Sequence, residues 1–132
     1  MKQEILNLLL DRSSSEHNDC TVRALALTAK INYKEAHKIA REAGRKDRKG
    51  FQSNWLIQTA KDTFKLNYQS VKVKPMTVAT FCKKYPKGSF YCRKSGHAFA
   101  IIDGVCYDHT RSLSRVKDVW EFISQPAYSN PW

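Results

Sequence analysis

Glycine is scarce: five in 132 residues, and scattered. No glycine-rich phosphate loop can be assembled from them, which disfavours nucleotide-driven chemistry. Long apolar runs are missing too. The longest early one, 5–10, is broken by Asn7 and stops at Asp11 and Arg12, far short of the roughly 18 residues of a membrane-crossing helix. No apolar leader core precedes a small-residue cleavage site. The expectation is a soluble cytoplasmic protein with no membrane partner. There is no Cys-x-x-Cys pair, so a zinc site from Cys82, Cys92, Cys106 and either His97 or His109 is not expected. In a reducing cytosol these three and Cys20 are expected as thiols, not disulfides. Repeats and low-complexity segments are absent. Acidic residues are few, with 12 Asp+Glu against 23 Lys+Arg, a net charge of +11.

What is present suits one domain over 1–132. Apolar residues make up 42% and aromatics 11%, enough for a packed core and too much for wholesale disorder. The positive charge is concentrated in the middle of the chain. Residues 29–50 hold eight bases and three acids, and residues 58–95 hold nine bases and one acid. This basic 29–95 region fits a nucleic-acid or acidic-protein partner, or simply a solvated face. Its densest part, GRKDRKG at 44–50, reads as an exposed loop, with Arg45, Lys46, Arg48 and Lys49 as candidate partner-binding residues. Tyr33, Tyr68 and Tyr85 lie near lysines. Half-buried tyrosines beneath snorkelling lysines explain them better than base stacking does.

Periodicity predicts a helix over 2–11, where Ile5, Leu8 and Leu9 share a face. A polar stretch, 12–18, separates it from a second helix starting at Asp19 or Cys20 and running to about Lys30. Further helices fit 33–43, with Gly44 as C-cap, and 52–64, with Trp55, Leu56 and Ala60 inward. Residues 67–74 alternate like a strand, and Pro75 opens a short helix to about Lys84. Strands are predicted over 89–93, 97–102 and 105–110, with Asp103-Gly104 as a two-residue hairpin loop. Residues 117–123 fit a strand or short helix, and 124–132 an extended tail. Helices followed by antiparallel strands make an α+β domain, N-terminal helices on a small C-terminal sheet.

Cys20 falls where a helix starts, at the positive end of the helix dipole, a setting that favours thiolate. A nucleophilic thiol also needs an imidazole and a group to orient it. The hairpin supplies both. With Asp103-Gly104 as loop, Ile102 pairs with Val105, Ile101 with Cys106, Ala100 with Tyr107 and Phe99 with Asp108. His97 and Asp108 then become diagonal neighbours on one face, and a slip of one residue would put His109 there instead. His17 and His37 read as loop and helix-surface residues.

HNDCTVRALA (17–26) and SGHAFAIIDGVCYDH (95–109) resemble the cysteine and histidine segments of papain-like cysteine peptidases, among them bacteriocin-processing domains. They are also similar to a phage and bacterial family with a GDCVVRA-like start and an AVIDG-like hairpin. The resemblance spans 17–110. It implies a papain-like fold in which Cys20 is nucleophile, His97 general base and Asp108 the orienting residue. It implies an oxyanion hole made by the Cys20 N–H and a side-chain amide. Ser14 stands where these enzymes usually carry Gln, so the nearest amide is Asn18. Thr21 and Val22 follow the cysteine where glycine is common.

Two functions follow as expectations. One is a papain-like thiol hydrolase, a peptidase or related acyl-transfer enzyme on a protein or peptide substrate, needing no cofactor and no metal. The other is a catalytically inactive basic module of the same fold, binding nucleic acid or a host protein.

Overall fold

The computed structural model describes residues 2–108 and 113–123. The expected tail over 124–132, and positions 109–110 of the third hairpin strand, lie outside the described residues. The predicted first helix is divided: α1 (Lys2–Leu6) gives way to a 3-10 turn over Asn7–Leu9. No side chain caps that turn. Burial of Ile5, Leu8 and Leu9 against Leu27, Ala100, Ile102 and Tyr107 holds the segment, as packing must for so short a helix.

Three helices follow: α2 (Cys20–Ala29), α3 (Tyr33–Ala43) and α4 (Ser53–Asp62). Asn32 caps α3 by accepting the Glu35 N–H at 3.0 Å, and Gly44 ends it at φ +112°. On α4, Leu56, Ile57 and Ala60 turn inward, whereas Trp55 is 60% exposed. An inward Trp55 is thereby corrected: the stripe Ser53, Leu56, Ile57, Ala60 at helical spacing already fills the inner face.

The remaining elements are β1 (Tyr68–Val71), β2 (Met76–Thr77), α5 (Val78–Lys84), β3 (Ser89–Lys94), β4 (His97–Ile102), β5 (Val105–Tyr107), β6 (Arg115–Val116) and β7 (Asp118–Phe122). A five-stranded antiparallel sheet has the order β1-β7-β3-β4-β5, and β2 pairs with β6. The architecture is α+β. The helix expected from Pro75 starts at Val78, because Met76 and Thr77 pair with Val116 and Arg115. Thr77 then caps α5 by accepting the Thr80 N–H.

Side chains alternate across the sheet. Tyr68, Tyr91 and Ala98 join the core under α2, α3 and α4, while Phe90, Cys92, Phe99 and Ile101 join the core under α5. The tyrosine hydroxyls are satisfied inside: Tyr68 lies 2.6 Å from Thr28 Oγ1, and Tyr91 lies 2.8 Å from Ser53 Oγ. The β4–β5 hairpin has the register read from its loop, Ile102 with Val105, Ile101 with Cys106 and Ala100 with Tyr107. Phe99 and Asp108 do not continue this ladder. Asp108 leaves the strand at φ +69°, in the left-handed region. Helix α2 packs across β3 and β4, which brings its first residue toward the start of β4.

Candidate active site

A cleft of about 640 Å³ opens where α2 and β4 begin. Cys20 and His97 both line it, with Phe51, Gln52, Asn54 and Trp120 among the surrounding residues. Cys20 is the first residue of α2. The residue before it, Asp19, is 0% exposed, and its carboxylate does not cap the helix. It accepts instead from Arg12, Nε to Oδ2 at 2.6 Å and Nη2 to Oδ1 at 3.1 Å, and from the Tyr33 hydroxyl at 2.8 Å. Burial alone would raise the Asp19 pKa. The bonds from Arg12 and Tyr33 and the charge of Arg23 outweigh it and hold the carboxyl at about 2.

His97 closes the β3–β4 hairpin opposite Lys94. Its ring stacks on Phe99, centroids 5.9 Å apart and planes 18° apart. Nε2 lies 2.9 Å from the main-chain carbonyl oxygen of Asp108. A carbonyl can only accept, so Nε2 must carry the hydrogen. In the neutral ring, Nδ1 is then the basic nitrogen.

The Asp108 carboxylate faces elsewhere. Oδ1 pairs with Arg23 Nη1 at 2.5 Å, and buried Oδ2 has no hydrogen-bond partner among the described residues. Burial raises the Asp108 pKa, and the charges of Arg23 and His97 offset only part of that. Arg23 also reaches back, with Nε 3.2 Å from Asp19 Oδ1. A chain of alternating charge, Arg12, Asp19, Arg23, Asp108, thus runs from behind Cys20 to the residue whose carbonyl holds His97.

The other expected residues are placed as follows. Asn18 does not line the cleft; its amide donates to the Arg48 carbonyl at 3.0 Å. The amide side chains at the cleft are Gln52 and Asn54. Arg45 is 5% exposed. Its guanidinium donates to the carbonyls of Lys49, His17 and Asn18 at 2.8, 3.3 and 3.5 Å. Arg45 therefore clamps the 44–50 loop to the segment before Cys20 and is not available to a partner, which corrects its assignment as a surface cation. Lys46, Arg48 and Lys49 are exposed. Tyr33, expected half-buried beneath lysines, is buried on Asp19.

Arg12, Arg23, Gln52 and Asn54 were not legible as site residues. Arg23 carried one usable signal, an i, i+4 spacing from Asp19 that lets the two meet on one side of α2. The remaining thiols sit in apolar surroundings. Burial raises the pKa of Cys82 and Cys92, and pushes Cys106 up to about 12. Among the described residues no group of three or more His, Cys, Asp or Glu is placed to hold a metal ion. No helix among them is long and apolar enough to cross a membrane.

Fold and site together define an α+β domain with a cysteine and a histidine lining one cleft. Compared with protein-family models, curated proteins and solved structures, the chain has no significant match.

Proposed function

We propose that this chain is a papain-like thiol hydrolase, a peptidase or a related acyl-transfer enzyme. The observation that carries the reading is that Cys20, opening α2, and His97, opening β4, line the same cleft. The Cys20 thiol gives its proton to His97 Nδ1, and the sulfur attacks the substrate carbonyl carbon. The carbon–nitrogen bond breaks, the leaving amine takes the proton from the imidazolium, and an acyl thioester remains on Cys20. Water, deprotonated by His97, then releases the acid; an amine acceptor in its place gives transfer. The Cys20 N–H, at the uncapped start of α2, stabilises the oxyanion together with an amide from Gln52 or Asn54. The part expected of the Asp108 carboxylate falls to its carbonyl, while the carboxylate itself pairs with Arg23.

Alkylation of each cysteine by iodoacetamide across pH, read by mass spectrometry, tests this. Cys20 is expected to react fast below pH 7 in the wild type and to lose that rate in His97→Ala. A Cys20 that reacts no faster than Cys82, and is indifferent to His97, would sink the proposal.

A second reading is favoured by the exposed Lys46, Arg48 and Lys49 on a clamped loop. It makes the chain a basic binding module for nucleic acid or an acidic protein. In that case Cys20→Ala is harmless, charge reversal at the three cations abolishes binding, and binding weakens steeply with salt.

A further inference from the structure

Resting on that hydrolase reading, we propose that the cleft takes an acidic peptide, and that Lys94 binds a carboxylate next to the scissile carbonyl. Lys94 and His97 are directly paired where β3 meets β4. Opposed residues of an antiparallel pair stand on one face with Cβ atoms about 4.5–5.5 Å apart. Lys94 is half-buried and lines the cleft with Cys20 and His97. Among the described residues it forms no ion pair. The acid on the cleft wall, Asp118, is already neutralised: Arg93 Nε and Nη2 lie 2.7 and 2.6 Å from its Oδ2.

Of the two cations lining the cleft, Arg93 is therefore paired and Lys94 is the one without an acid partner among the described residues. Gly50, another lining residue, ends the loop that displays Lys46, Arg48 and Lys49. Arg45 and Asn18 hold that loop in place, so its charges add to the same field. Phe51 and Trp120 give the walls apolar surface for the rest of a peptide. A carboxylate entering the cleft gains a charge-assisted hydrogen bond from Lys94, and an uncharged or cationic side chain does not.

The probes are iodoacetate and iodoacetamide, which differ in charge and alkylate the same thiol. The Cys20 rate ratio, iodoacetate over iodoacetamide, is compared with that of free cysteine. The wild type is expected to exceed free cysteine about fivefold, the size a part-exposed ion pair supports. Lys94→Gln should return the ratio to that of free cysteine and Lys94→Glu should push it below, with far-UV circular dichroism confirming the fold. A Glu-containing peptide should slow Cys20 alkylation more than its Gln counterpart or a single-stranded oligonucleotide. If Cys20 depends on His97 yet shows the free-cysteine ratio in wild type and both variants, the acidic-peptide inference is overturned and the hydrolase reading stands. Protection by the oligonucleotide but not the Glu peptide overturns it as well. If Cys20 is indifferent to His97, the underlying reading fails first.

Discussion

At residue scale, Asp19 couples stability to pH. Its carboxyl is held at about 2, below the ordinary 3.8. Stabilisation from a depressed acid is fully present above its unfolded pKa and is lost as pH falls toward the folded value. The shift corresponds to roughly 2 kcal/mol, lost between about pH 4 and pH 2. Asp108, with its pKa raised by burial, has the opposite sign: its ionisation costs stability as pH rises, and so flattens the net slope. Urea unfolding between pH 2.5 and pH 7 should show a steep acid limb in the wild type that is nearly absent in Asp19→Asn. Asp19→Ala at pH 7 is expected to cost about 3 kcal/mol, because Arg12 and the Tyr33 hydroxyl lose their acceptor and Arg23 loses an ion-pair partner. Asp108→Gly behaves differently. Glycine accepts the φ of +69° and keeps the carbonyl, so His97-dependent alkylation of Cys20 should stay within about threefold of wild type, since one neutral-acceptor hydrogen bond is conserved. Loss of that dependence in Asp108→Gly would return the orienting role to the carboxylate. Cys20 and His97 were readable from a helix-start signal and a hairpin. The partner of Asp108 was not, because Arg23 lies 85 positions away and only the folded chain brings them together.

At the scale of elements, local chemistry was the reliable guide. Asn32 and Gly44 bracket α3 as a capped helix, and Asp103-Gly104 fixes the register of β4 with β5. Elements built from distant pairing escaped. β2 and β6 are two residues each and exist through one another; β7 falls within the 117–123 segment expected as a strand or short helix, but its place between β1 and β3 is announced by no local period. Glycines at the turns separate two kinds of cost. Gly44 and Gly88 have φ of +112° and +114°, but only at Gly88 would a Cβ meet the Phe90 ring, at 2.9 Å. Gly44→Ala should lose about 1 kcal/mol from backbone strain alone, and Gly88→Ala about 2–3 kcal/mol from strain plus the displaced ring. Urea midpoints of the two variants decide this; equal losses would mean that Phe90 yields freely.

Across the whole molecule, the five-stranded sheet separates the cluster under α5 from the two clusters on its other face, so damage on either face must pass through it. Phe81, a fully buried residue of α5, contacts Tyr85 and Phe90. Phe81→Ala should cost about 3–5 kcal/mol. Unfolding should remain one transition, with the buried Cys92 thiol becoming alkylatable at the urea concentration where circular dichroism is lost. Labelling of Cys92 well before that point would show that the α5 face opens by itself. The charge imbalance of +11 was visible at once in the sequence. How it divides was not: Arg12, Arg23, Arg45 and Arg93 are spent on internal pairs and carbonyls, while Lys46, Arg48 and Lys49 face solvent.

The hydrogen bond from His97 to the carbonyl of Asp108 bears on how such a centre is discovered at all. Alanine scanning and residue-level signatures both interrogate side chains. An orienting group made of main chain passes through each of them unmarked, since the carbonyl at position 108 is supplied by any residue that tolerates its left-handed turn. The substitution that reaches it is chemical rather than genetic: an ester in place of the amide after Asp108, which turns that oxygen into a poorer acceptor and leaves every side chain in place.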